Sequence, residues 1–137
     1  MTEAEDLVMD EVMTPNPIAI DIDASVNEAK NLMNRLGVRH MPVTENGVIE
    51  SIVNYRDLYR FYSPRASKDE PDQILLRDLC AGKIHTADVN DKLGKVLKTM
   101  IRKHIEAVIL LRDGEMAGIF TESDACRILA KHLGYSL

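Results

Sequence analysis

Residues 118–129 read GIFTESDACRIL, the end of an apolar strand that tips into a helix with Thr121 and Asp124 at the tip. Residues 51–62, SIVNYRDLYRFY, set Asn54 and Asp57 at the same two steps, 67 positions earlier. The same offset lays Met33 on Met100, Arg35 on Arg102, Gly47 on Gly114, Ile52 on Ile119 and Arg60 on Arg127. It also keeps apolar character at Val12/Leu79, Ile22/Val89, Val26/Leu93, Val38/Ile105, Val43/Leu110 and Val53/Phe120, without a gap from Asp6 to Tyr62. A register of this length, with a shared turn glycine and a shared corner aspartate, marks a duplicated supersecondary unit. A unit of about 60 residues buries little apolar surface alone, so the two copies are expected to pack sheet to sheet about a pseudo-twofold axis. The seam between them is the natural place for a cleft.

Each copy reads in the same order. PIAIDID (17–23) is a short extended run, and Ser25 with Glu28 forms an S-x-x-E start for a helix over 26–36. Val26, Ala29, Leu32, Met33 and Leu36 recur there at helical spacing, and Gly37 ends it. HMPVTE (40–45) and VIESIVN (48–54) flank Asn46-Gly47, a dipeptide suited to a tight hairpin; Asp113-Gly114 is its counterpart. Helices over 56–62 and 123–133 complete the copies, and short amphipathic pieces, DLVMDEVM (6–13) and ILLRDLCA (74–81), precede them. The fold class is therefore α+β, with two β-α-β-β-α repeats at 6–62 and 73–133. Residues 63–72, SPRASKDEPD, are polar with two prolines and read as a linker.

Composition narrows the function. The chain has 137 residues, 45% of them hydrophobic, enough for one compact domain or two small lobes. No run approaches the roughly 18 apolar residues of a membrane span. The acidic start MTEAEDLVMDEV lacks the basic-then-apolar order of a secretory signal, so a cytoplasmic protein without a membrane segment is expected. Cys80 and Cys126 have no CxxC spacing and read as buried thiols, while His85, His104 and His132 converge on no metal. Met9, Met13, Met33 and Met100 read as core fillers. A net charge of -5, no Trp and few Phe and Tyr argue against a nucleic-acid surface. An anionic small ligand would need a locally basic spot. No nucleophile–base pair, metal cluster or P-loop is present in the sequence, so no enzyme is expected.

VMTPNPIAI (12–20), the helix with Ala29 and Met33, GVRHMPVTENG (37–47) and G-I-F-T-E-S-D (118–124) occur in order. Together they resemble a tandem pair of cystathionine β-synthase (CBS) domains, a Bateman module, over nearly the whole chain. The resemblance implies a regulatory module, usually a homodimer of pairs stacked into a disc. It would bind an adenosine-containing ligand such as AMP, ADP, ATP or S-adenosylmethionine, require no further cofactor, and act through its dimer surface or an effector protein.

For Thr121 and Asp124 a capping box suffices: the threonine oxygen accepts from the third helical amide and the carboxylate reaches back to the cap amide. The same corner suits a nucleoside. A carboxylate accepts from both hydroxyls of a ribose, while the Thr121 hydroxyl and the first-turn amides offer donors to a phosphate. The resemblance sets this corner against the strand beginnings of the first repeat, adding Thr14, Ile18, Val38, Arg39, His40 and Ile119. Ile18, Val38 and Ile119 would enclose the purine, and Arg39 with His40 would balance phosphate charge. A related, weaker site would use Asn54, Asp57, His85 and Ile105. There Ser51 replaces the glycine matched by Gly118, Asn54 replaces the hydroxyl, and Glu106 stands where the better site has Arg39, which disfavours a phosphate. The alternative is a ligand-free dimerisation scaffold.

Overall fold

The computed structural model describes residues 4–61, 74–80 and 84–136. A short helix α1 (Met9–Val12) and strand β1 (Thr14–Pro15) come first. Next are β2 (Ile20–Asp21), α2 (Val26–Leu36), β3 (His40–Glu45), β4 (Val48–Asn54) and α3 (Tyr55–Phe61). The second series is β5 (Thr86–Asp88), α4 (Leu93–Lys103), β6 (Ala107–Arg112), β7 (Glu115–Thr121) and α5 (Glu122–His132). α2 and α4, β3 and β6, and β4 and β7 coincide residue for residue at the 67-position offset. In each series the first strand runs parallel to the second and the second antiparallel to the third, with a register shift at Val43/Thr44 and again at Leu110/Leu111. The strand-helix-strand-strand-helix order read from the sequence is the order observed. The extended run at 17–23 contracts to Ile20–Asp21, and the helices expected at 56 and 123 begin one residue earlier. The linker at 63–72 lies outside the described residues.

Local chemistry accounts for these boundaries. Ser25 Oγ accepts from the Glu28 amide at 3.0 Å, satisfying one of the donors left open at the start of α2. Gly37 closes that helix at φ 68°, while His104 holds the equivalent position at φ 54°. Both hairpins turn on two residues of positive φ, Asn46-Gly47 and Asp113-Gly114, the geometry whose twist matches the flanking strands. α2 buries Val26, Ala29 and Met33; α4 buries Leu93, Val96 and Met100, the same helical face.

The compact bodies do not follow the repeat boundaries. One unit consists of Met1–Pro17 with His85–Leu137, and the other is Ile18–Ile84; they are called here the terminal and the middle unit. The terminal unit holds a four-stranded sheet of order β1-β7-β6-β5, the middle unit a three-stranded sheet of order β2-β3-β4. Each therefore takes its short lead piece from the opposite repeat. Val8 bridges Lys92 and Leu75 bridges Ser25, equivalent positions. The Met9 and Asp10 amides donate to Asp91 and Val89 carbonyls, and the Leu76 and Arg77 amides donate to Ala24 and Ile22. Met9 is fully buried in a core with Val89, Leu93, Val96, Met100, Leu110 and Phe120. Leu76 is fully buried with Val26, Met33, Met41, Val43 and Leu58. Met33 and Met100 are core residues as expected, and Met13 packs against the core of the terminal unit.

A charge inversion accompanies the exchange. In the terminal unit the Arg112 guanidinium donates to Asp10 at 2.6 Å. In the middle unit Arg77 donates to Glu45 at 3.2 Å and, with two nitrogens, to Asp23 at 2.9 and 3.3 Å. The offset lays Asp10 on Arg77 and Arg112 on Glu45, so the signs are swapped at both ends of the pair. Docked on its own repeat, Asp10 would meet Glu45 and Arg77 would meet Arg112, two like-charge encounters. The Arg77 hydrogen bond holds the Asp23 carboxyl below its ordinary value. These pairs are half-exposed and add little stability, but their reversed signs match each lead piece to the opposite repeat. Asp10→Arg is expected to lower the urea midpoint and Asp10→Arg with Arg112→Asp to restore it; a double variant no better than the single one would remove this role.

Candidate functional site

In the terminal unit β7 delivers Thr121 to the start of α5, and the corner closes as a reciprocal cap. The Thr121 amide and hydroxyl donate to Asp124 Oδ2 at 2.9 and 3.2 Å, and the Asp124 amide donates to Thr121 Oγ1 at 3.4 Å. The other carboxylate oxygen is engaged differently. Arg127 donates to Asp124 Oδ1 at 3.1 Å from a side chain 64% exposed, and Thr14 Oγ1 lies 3.4 Å away. Oδ2 is thus committed to the fold, whereas Oδ1 is held by one solvated arginine and one long hydroxyl contact. Asp124 itself is buried, and Ile119 is buried one step before Phe120 on β7.

Thr14 reaches this corner because β1 lies antiparallel on β7, Thr14 opposite Ile119 and Pro15 opposite Gly118. Gly118 permits the approach. A Cβ there would overlap the Met13 thioether and sit 2.9 Å from the Thr14 carbonyl oxygen, a backbone atom. Gly118→Ala is expected to cost about 1–3 kcal/mol through overpacking, read as a lowered denaturation midpoint, with Ser51→Ala as the milder control at the equivalent position.

The middle unit carries the other expected residues. Val38, Arg39 and His40 follow the Gly37 cap, the Arg39 carbonyl accepts from the Tyr55 amide at 2.8 Å, and His40 pairs with Asn54 across the sheet. The Arg39 guanidinium lies 5.9 Å from the Tyr55 ring centroid, and Tyr55 stacks on Tyr59. Met33, Asn34, Gly37, Val38, Arg39 and Tyr55 line a cleft of about 260 Å³. Asn54 caps α3, its Oδ1 accepting from the Asp57 amide at 2.9 Å.

Thr14, Ile119, Thr121 and Asp124 thus come together in one unit, and Val38, Arg39, His40, Asn54 and Asp57 in the other. Ile18, 53% exposed, opens the middle unit. His85 and Ile105 line one cleft of the terminal unit. Sequence reasoning missed Arg127, whose spacing from Asp124 by one helical turn was visible, and Tyr55, whose ring contact with Arg39 depends on the hairpin register.

The cysteines correct one expectation. Cys126 is exposed rather than buried, because α5 turns that position to solvent; Cys80 is half-buried, and both are free. Burial pushes the Cys80 thiol above its ordinary value, partly offset by a hydrogen bond with Ser51. At pH 8, iodoacetamide is expected to modify Cys126 first; equal rates would contradict the shielding of Cys80. Among the described residues no group of three or more His, Cys, Asp or Glu is placed to hold a metal, and no helix is long and apolar enough to cross a membrane.

The duplicated β-α-β-β-α unit and its corner define the class. The CBS domain family model matches twice, at residues 8–64 and 76–131, and the chain belongs to that family. It is 25% identical over 129 residues to the uncharacterised protein MJ1225 of Methanocaldococcus jannaschii, covering 92% of this chain and 44% of that protein. It is 27% identical over 113 residues to MJ0450 of the same organism, covering 82% and 61%. The chain therefore spans about half the length of the curated relatives it matches. Among solved structures, the CBS domain of the bacterial CNNM/CorC family Mg2+ transporter in complex with ATP superposes with TM-score 0.80, 19% identity and coverage of 98% and 92%. The CBS domain pair of MJ0100 with 5-methylthioadenosine and S-adenosyl-L-methionine gives 0.77, 18%, 92% and 98%. CBSX2 in complex with AMP gives 0.74, 18%, 92% and 98%. At these identities the likeness concerns the fold.

Proposed function

We propose that the chain is a regulatory CBS pair that senses an adenosine-containing ligand of the AMP, ADP, ATP or S-adenosylmethionine class. The supporting observation is the division of labour at Asp124. One oxygen completes the helix cap, and the other is held by contacts that a ribose diol can replace without opening the cap. Displacing a solvated arginine from Oδ1 costs little, and Arg127 is then free to meet a phosphate. The Thr14 hydroxyl would turn from the carboxylate to the sugar. Adenosyl compounds bound in three structures of the same fold support the ligand class.

The resemblance assigns to ligand contact Thr14, Ile119, Thr121 and Asp124 of the terminal unit and Ile18, Val38, Arg39 and His40 of the middle unit, and it assigns Asn54, Asp57, His85 and Ile105 to weaker contact. The protein would be cytoplasmic and non-enzymatic, acting as a homodimer on an effector protein. Leu129, Leu133 and Tyr135, all exposed, would supply apolar contact. Binding regulates only if the ligand prefers one of two arrangements of the protein.

Isothermal titration with AMP, ATP and S-adenosylmethionine tests this. Saturable heat with at least one of them, weakened about tenfold or more by Asp124→Asn, is expected, since the amide keeps the side-chain shape but loses charge-assisted acceptance. Silence from all three would leave the dimerisation scaffold, and phosphate release from ATP by pure protein would overturn the non-enzymatic reading.

A further inference from the structure

We propose that the cleft between α4 and β5 binds a small amphipathic anion, an apolar group carrying a phosphate or carboxylate, with Lys95 and Lys103 taking the charge. The cleft encloses about 220 Å³ and is built by residues of the terminal unit alone. Its floor is apolar, formed by Val96, Ile105 and Val108, all buried. Its rim is cationic. Lys95 and Lys103 stand two turns apart on one face of α4, with His85 and Thr86 also on the lining.

The polar groups at the cleft leave room for an incoming charge. Asp91 is the one acid on the lining, and its Oδ2 already accepts from the Asp88 amide at 3.1 Å. Its other oxygen meets Lys95 Nζ at 3.5 Å, a long pair from a lysine 72% exposed, which exchanges partner at little cost. Thr99 donates to the Lys95 carbonyl at 3.2 Å and so serves as wall, leaving the two ammonium groups as the principal donors. Glu106, the acid that the sequence sets near His85 and Ile105, is not part of the lining.

The duplication supplies an internal control. α4 carries Lys95, Lys98, Arg102 and Lys103 and no acid, in a chain of net charge -5. At the offset of 67, Lys95, Thr99 and Lys103 correspond to Glu28, Leu32 and Leu36 on α2. The shared fold requires neither lysine, since the corresponding positions of α2 carry no positive charge. It is a locally basic spot of the kind an anion requires in an acidic protein.

Amide NMR of the full chain tests the site with phenyl phosphate, benzoate and, as the uncharged probe, phenol. Saturable shifts at Thr86, Thr99 and Ile105 are expected with one or both anions and not with phenol. Phenyl phosphate alone would make the group a phosphate, benzoate alone a carboxylate. Lys95→Met with Lys103→Met, which keeps the aliphatic stems and a native spectrum, should weaken binding about tenfold or more, and Lys95→Arg with Lys103→Arg should largely retain it. Unshifted amides with both anions, equal response to phenol, or undiminished affinity in the methionine variant would each overturn the proposal. His85 and Ile105 are also assigned to the weaker nucleoside site, so Asp57→Asn and Asp124→Asn should both leave these shifts intact; failure of either nucleoside site and failure of this cleft are then separately visible.

Discussion

Burial of Met9 and Leu76 is the constraint on which the rest depends. Met9 and Leu76 each belong to the lead piece of one repeat and complete the core of the other, and both are fully removed from solvent. Such burial contributes about 1.5–3 kcal/mol per side chain. Its larger effect is topological, because each unit is completed only when the chain has delivered a piece belonging to the other repeat. The backbone bonds on the two sides fall at equivalent positions, and the flanking ion pairs carry opposite sense.

That exchange also builds the Thr121–Asp124 corner. β1 follows α1 into the terminal unit, lies on β7 over Gly118 and brings Thr14 within reach of Asp124. In the middle unit the equivalent corner is built from Ser51, Asn54 and Asp57, with an amide oxygen as cap in place of a hydroxyl and carboxylate working reciprocally. Duplication preserved the register of helices and hairpins, while the residues at the helix starts diverged. A regulatory pair needs such asymmetry if its two halves are to answer to different ligands or to one ligand unequally.

The distribution of charge follows the same logic. A surplus of acids keeps the chain from presenting a broad polyanion-binding face, yet every charged residue of α4 is basic and the helix borders an apolar cleft. Arg39, held over Tyr55, is a second concentrated positive point on the other unit. Positive charge is placed at particular concave points, the arrangement that favours small anions over extended ones.

Periodicity and duplication were legible in the sequence because they are local. Helical spacing at Val26, Ala29 and Met33, positive-φ dipeptides at both hairpins, and the Thr121–Asp124 box each depend on neighbours within a few positions, and a repeat displays them twice. Family membership followed from their order. The compact units were not legible, since nothing local distinguishes a lead piece that docks on its own repeat from one that docks on the other. Nor was the pairing of Arg77 with Asp23 or the grouping of Lys95 and Lys103 with His85 and Ile105. Sequence by itself determined what each segment is and that there are two of each; tertiary structure alone decided which segment completes which core, because burial and charge pairing act through space between residues that the chain holds far apart.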